Sequence, residues 1–182
     1  MVEKALATLE GLGAHLVEVN LPSLEYSWIA NMVIMLSEAF AYHRKNLRLQ
    51  PENFGEIVRM RFYLGGLFSA SDYVQAQRAR NRVRREMAQT LETVHVLATP
   101  TAFRPAATFE EFDPVALIMN PSFTAPFNQA GLPAISIPCG FNNAGLPIGL
   151  QIAGRPFDEP MVLRVANAYE QQARWFDIRP SL

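Results

Sequence analysis

The hydrophobic positions at the start of the chain recur with helical spacing. Leu6, Leu9 and Leu12 lie three residues apart, which predicts a short amphipathic helix over residues 2–12. Gly13 follows directly, and glycine readily takes the left-handed conformation that ends a helix. We therefore expect the first element to be a helix that buries its leucine face.

The sequence predicts three further helices before residue 95, over residues 24–47, 54–67 and 72–94. The first is apolar and the third is rich in charged residues. Gly65 and Gly66 are expected to interrupt the second. Either Ser69 or Ser71 can cap the third, because a serine oxygen accepts a hydrogen bond from the free N–H groups of a first helical turn.

Four short segments have the alternation or the β-branched composition of strands: "HLVEVN" (15–20), "HVLATP" (95–100), "AISIP" (134–138) and "IGLQIAG" (148–154). The link between the last two contains Asn-Asn-Ala-Gly, which is typical of a tight turn and predicts a hairpin. The apolar side chains of this hairpin are expected to be buried, namely Ile135, Ile137, Ile148, Leu150 and Ile152.

A final helix is predicted after residue 158. Asp158 is its expected cap, and Pro160 falls in the first turn, where a missing N–H does no harm. The inner stripe of this helix is expected to contain Met161, Val162, Val165 and Tyr169. An irregular loop over 101–114 and a short helix near 114–119 complete the pattern. The fold class is α/β, a mixed sheet of about four strands flanked by helices, in a single domain over residues 1–182.

Composition and charge narrow the choice of partner. Hydrophobic residues make up 49% of the 182 residues, and the formal net charge is −1. This balance gives no reason to expect nucleic acid or an anionic membrane. The chain contains no 18-residue apolar run and no signal-peptide pattern, and it has one cysteine. These features predict a soluble cytoplasmic protein.

The usual catalytic and metal-binding patterns are absent from the sequence. There is no G-x-S-x-G elbow, and the histidines at positions 15, 43 and 95 are scattered. Cys139 lies between Pro138 and Gly140, and we interpret it as a small buried residue in preference to a thiol nucleophile. No Cys/His cluster has zinc spacing, so no metal or cofactor is predicted.

One helix is rich in arginine. "QRARNRVRRE" places Arg78, Arg82 and Arg85 on one helical face and Arg80 and Arg84 on another. We interpret this segment as a solvated helix because its charges surround the axis, with contact to phosphate or tRNA as the alternative.

A long stretch, "FTAPFNQAGLPAISIPCGFNNAGLPIGLQIAGRPFDE" followed by "VLRVANAYEQ", resembles the C-terminal signature of the amidase signature family. That family includes broad amidases and the glutamyl-tRNA amidotransferase subunit of the same kind. Weaker matches lie upstream in the family's order, at 5–22, 54–66 and 96–106. The resemblance therefore covers nearly the whole chain but only the back portion of a family member.

The resemblance implies a catalytic set that this chain does not contain. Family members of this kind use a lysine, a serine held by a cis peptide bond and a nucleophilic serine, all upstream of the matching portion. The only lysines here are Lys4 and Lys45, and no two serines are paired in a Gly-rich loop. We expect no catalytic residue in this chain, which would supply scaffold and part of a pocket for a small amide in the parent hydrolase. The alternative is a non-catalytic assembly module or one half of a split amidase or amidotransferase.

The resemblance also implies substrate-binding positions and a partner. Arg61 fits the context in which amidotransferase-type relatives grip a substrate carboxylate, although it also fits a helix-surface arginine. Asn120, Phe123 and Thr124 are the other implied pocket residues. Pro121 stands where those relatives carry an acidic residue, which favours a general amidase. A homo-oligomer or a separate N-terminal partner chain is expected to cover the exposed face.

Overall fold

The computed structural model describes residues 1–111, 113 and 121–179. Six α-helices are present in these residues: α1 (Val2–Gly11), α2 (Ser27–Leu49), α3 (Glu56–Gly65), α4 (Ala70–Thr93), α5 (Ala125–Ala130) and α6 (Glu159–Ala173). The strands of the described residues are β1 (Val96–Pro100), β2 (Ala134–Phe141) and β3 (Pro147–Gly154). Three short 3-10 turns lie at Pro22–Tyr26, Pro51–Asn53 and Trp175–Asp177. The architecture is mixed α/β.

The three strands form one antiparallel sheet in the order β1-β3-β2. The predicted hairpin is confirmed, since β2 and β3 are neighbours with Ile135 opposite Ile152. The side chain of Asn142 organises its turn by accepting from the backbone N–H groups of Ala144 and Leu146 at 2.9 and 2.8 Å. The register shifts at Cys139, where β2 carries an irregularity.

One face of the sheet carries the main core against α1 and α6. Ile137, Leu150 and Ile152 are buried there together with Val162 and Tyr169. The predicted remaining isoleucines of the hairpin pack against the same cluster while staying partly exposed. Helix α6 thus buries most of the predicted stripe, which places the opposite face of the sheet towards the rest of the molecule.

The opposite face of the sheet is only partly covered. Near the start of β1, Leu97 and Ala153 pack on Val83 and Met87 of α4 and on Phe127 of α5. Towards the other end of the strands this face carries polar side chains and remains open. The open end is where the candidate site lies.

Close packing joins the helices of the first half. Ala30 and Val33 of α2 pack against Ala76 of α4. Helix α3 ends at Gly65, which touches the backbone of α2, so the predicted interruption is a true end of the helix. Ser69 is the cap of α4: its hydroxyl accepts from the backbone N–H of Asp72 at 3.1 Å.

Three sequence predictions are corrected or fall outside the described residues. The fourth strand, predicted over residues 15–20, is wrong: Leu16 and Val17 are exposed, and none of the described residues pairs with this segment in a ladder. Alternation alone does not make a strand when no neighbour supplies the hydrogen bonds. Asp158 does begin α6, but without a side-chain cap. The helix predicted near 114–119 lies outside the described residues.

Within the described part of the chain, no helix combines the length and the hydropathy that a membrane crossing requires.

Candidate functional site

A pair of hydroxyl groups crosses the open end of the sheet. Thr101 follows β1 and Ser136 lies in β2, and their hydroxyl oxygens are 2.6 Å apart. Gly149 of the central strand lies between them and accepts a backbone hydrogen bond from Thr101 at 3.0 Å. A Cβ at Gly149 would lie 2.6 and 2.7 Å from the two hydroxyl oxygens. The absence of a side chain at Gly149 therefore allows the pair to form.

Gln151 extends this polar strip towards the covered half of the sheet. Its side chain is only 4% exposed. The amide nitrogen donates to the hydroxyl of Thr99 at 3.0 Å and to the backbone oxygen of Phe123 at 3.1 Å. A buried amide with its donors satisfied holds its partners in place. Gln151 thus ties the segment before α5 to the sheet.

Two aromatic rings stand beside the hydroxyl pair. Phe103 stacks on Phe123, with ring centroids 4.0 Å apart and planes 26° from parallel. Phe103 is also one of the residues lining a cavity of about 460 Å³, whose walls are residues 101–106, 136–138 and 147–149. The hydroxyl pair and the aromatic pair therefore meet at one concave surface.

The cavity combines hydrogen-bond donors with acceptors. One hydroxyl proton is used between Thr101 and Ser136, which leaves the second proton and several lone pairs available to a bound molecule. Arg104 lines the same cavity and makes no hydrogen bond or ion pair with the described residues. Such a surface suits a polar group that both donates and accepts, as an amide does.

The predicted pocket residues are only partly brought together. Phe123 is held by Gln151, and the hydroxyl of Thr124 lies 2.9 Å from that of Ser122. Arg61 lies partly buried on α3 and makes no hydrogen bond or ion pair in the described part of the chain. Asn120 is outside the described residues. The binding roles of these four residues stay predictions.

The residues that define the cavity were not singled out from the sequence. Ser136 and Gln151 are the polar positions within the strand motifs "AISIP" and "IGLQIAG". A polar residue facing away from the core of an apolar strand is a signal that could have identified them.

No nucleophile with an adjacent base is visible in the described residues. Among their hydrogen bonds, none joins a serine, threonine or cysteine side chain to the side chain of a histidine or lysine. Cys139 is 2% exposed, and burial raises the pKa of its thiol, which matches its interpretation as a small core residue. His43 stacks on Phe62 and meets the edge of Phe54.

The described residues also contain no group of three His, Cys, Asp or Glu side chains placed to hold a metal ion.

Known proteins resemble the chain over nearly its whole length. The family model described as Amidase matches residues 1–163. An amidase of Pseudomonas putida is 40% identical over 189 residues, which cover 100% of this chain and 40% of the relative. A glutamyl-tRNA(Gln) amidotransferase subunit of Thermodesulfovibrio yellowstonii is 36% identical over 207 residues, with 100% and 43% covered.

A solved structure supports the same relationship. The crystal structure of the corresponding glutamyl-tRNA(Gln) amidotransferase subunit of Thermotoga maritima superposes with a TM-score of 0.78 at 34% identity. The superposition covers 96% of this chain and 38% of that one. The chain thus spans about 40% of the length of the curated relatives it matches. Because the family model matches most of its residues, the chain belongs to the amidase family, also called the amidase signature family.

Proposed function

We propose that this chain is the C-terminal portion of an amidase-type hydrolase and supplies scaffold and one wall of the substrate pocket. Membership of the amidase family and the roughly 40% span of its relatives support this. The observation that carries the pocket role is the Thr101–Ser136 hydroxyl pair, which opens into a cavity across Gly149. By itself the chain is not expected to catalyse.

The parent reaction is proposed to be amide hydrolysis through an acyl-serine. A serine hydroxyl is a weak nucleophile until a neighbouring base takes its proton. Neither hydroxyl of the Thr101–Ser136 pair has such a base beside it, so the nucleophile belongs to the part of the relatives that this chain does not span. The hydroxyl pair would hydrogen-bond the amide and orient it for attack.

The substrate is proposed to be a small amide, with Arg61 as a candidate contact for a carboxylate on it. Arg61 has no acidic partner among the described residues, so its guanidinium is free to bind an anion. Pro121 offers no charge to a glutamine amino group. We therefore favour a general amidase over a glutamine-dependent amidotransferase. Asn120, Phe123 and Thr124 remain the proposed neighbours of the substrate.

The alternative function is that of an assembly module or one half of a split amidase or amidotransferase. Its support is the apolar surface left uncovered: Leu67 is 79% exposed and Val17 is 62% exposed, while Ile57 and Val58 of α3 are also exposed. Residues 15–20 pair with no strand of the described part. We propose that an N-terminal partner chain, or else a second copy, covers this surface over more than about 1,000 Å² in total. Light scattering at micromolar concentration tests association, and a monomer with no partner would contradict it.

A chimera tests the pocket role. The matching part of the Pseudomonas putida amidase is replaced by this chain, and hydrolysis of small amides is measured. We expect activity, and we expect Thr101→Val with Ser136→Ala to lower kcat/KM by about tenfold, since each lost hydrogen bond to a substrate weakens its binding. Ser71→Ala, which removes an exposed hydroxyl of α4, should leave activity unchanged.

Two results would contradict the proposal in different ways. A chimera that folds but has no activity would limit the relationship to the fold. An active chimera that is indifferent to loss of both hydroxyls would show that this cavity does not contact the substrate.

A further inference from the structure

A second groove, of about 460 Å³, runs along one side of α4. Its α4 wall consists of Asn81, Arg84, Arg85 and Ala88. The facing wall consists of Ala130, Leu132 and Pro156, which belong to the end of α5, the link to β2 and the link after β3. The groove thus has a cationic side and an apolar side.

The cationic side follows from helical geometry. Residues 81, 84, 85 and 88 have the spacing i, i+3, i+4 and i+7, so their side chains lie along one side of the helix. The core side of the same helix carries Val83 and Met87, which are buried. Arg78 and Arg82 belong to the same arginine-rich segment but do not line the groove.

The two arginines in the groove are electrostatically unmatched. Neither Arg84 nor Arg85 forms a hydrogen bond or an ion pair with any described residue. The neighbouring acid, Glu86, accepts from both the backbone N–H and the hydroxyl of Ser23 on another side of the helix. An arginine fork pairs well with carboxylate and phosphate oxygens.

We propose that this groove binds a small organic anion, whose carboxylate or phosphate group contacts Arg84 and Arg85 and whose apolar body lies on Leu132 and Pro156. Asn81 offers an additional amide donor at the same wall. The site is separate from the Thr101–Ser136 cavity, since the two share no lining residue. It does not depend on the proposed amidase role.

The test uses the full chain with benzoate and inorganic phosphate as probes, titrated by calorimetry at low salt. We expect binding of an anion in the millimolar range, and we expect Arg84→Gln with Arg85→Gln to weaken it by about tenfold or more. The matched control is Arg78→Gln with Arg82→Gln, which removes the same charge from the same helix and should leave binding within about twofold, since exposed charges farther away are screened.

The two probes separate the possible sources of the anion. Tighter binding of benzoate indicates an organic acid that uses the apolar wall, whereas tighter binding of phosphate indicates a phosphate group as the ligand. Absence of binding for both probes, or an equal loss in the two double variants, would overturn the proposal. Circular dichroism of each variant establishes that the helix is retained.

Discussion

Gly65 packs directly against the backbone oxygen of Leu36, so that a Cβ at position 65 would overlap that oxygen. The end of α3 therefore lies on the backbone of α2, with Phe40 also in contact. A contact of this kind fixes where the two helices meet, because a backbone atom has little freedom to move aside.

Gly65→Ala is expected to destabilise the fold by about 1–3 kcal/mol or more, the cost of overpacking a site that lacks space. Urea unfolding followed by circular dichroism measures the free energy of unfolding. Gly11→Ala is the matched control, since Gly11 also ends a ten-residue helix and an added Cβ there meets nothing within 4 Å. Equal effects of the two substitutions would show that α3 does not pack on α2 in this way.

The helices show how far sequence reasoning reaches. The leucine spacing of α1 and the serine cap of α4 are local features, so the sequence predicted both elements within a few residues. Gly65 and Gly66 signalled an interruption. What the sequence could not supply was the reason, because contact with Leu36 depends on how two distant segments pack.

Arg155 holds the C-terminal end of α4. Its guanidinium donates to the backbone oxygens of Leu91 and Val94 at 2.8 and 3.1 Å, carbonyls that helix geometry leaves unpaired. Arg155→Ala is expected to lower the free energy of unfolding by about 2 kcal/mol, since charge-assisted hydrogen bonds to partly buried groups are lost. Thermal unfolding measures this loss.

The control for Arg155 is Arg164→Ala on α6, where the side chain is exposed and makes no hydrogen bond with the described residues. Its expected effect is within about 0.5 kcal/mol. If the two alanine variants unfold at the same temperature, the proposed cap contributes nothing to stability.

Asp72 makes the stability of α4 depend on pH. The hydroxyl of Ser69, followed by its backbone N–H, donates to the carboxylate and lowers the pKa of Asp72 from its ordinary value of 3.8. A carboxylate whose pKa is lowered on folding stabilises the fold above its unfolded pKa, and this contribution disappears as the pH falls through the folded pKa.

Asp72→Asn should therefore lower the melting temperature at about pH 7, and the difference from the parent chain should shrink below about pH 4. Glu92→Gln, an exposed change on the same helix, serves as the control. A difference that stays constant from neutral to acid pH would remove the carboxylate from this account.

The sheet and the site show where sequence reasoning stopped. The hairpin was predictable because its turn and its alternation are local. The segment "HLVEVN" has the same alternation, yet no described strand lies beside it, and Leu16 is exposed. Pairing is a property of two segments, so one segment alone does not determine it.

The candidate pocket depends on such distant contacts still more. Thr101 and Ser136 are 35 residues apart, and the sheet register brings them together over a glycine of a third strand. Family resemblance predicted Phe123 and Thr124 in this region. It gave no indication of the hydroxyl pair or of the hydrogen bond from Gln151 to Phe123.

The most direct test of the central claim is turnover of small amides by this chain alone, assayed as released ammonia with and without a serine-directed reagent. The account predicts no turnover above buffer, because no serine of the described residues has the base that would provide the acceleration of about 10⁶-fold or more that enzymes reach. Turnover that the reagent abolishes would contradict the account, since the chain would then contain a complete catalytic centre.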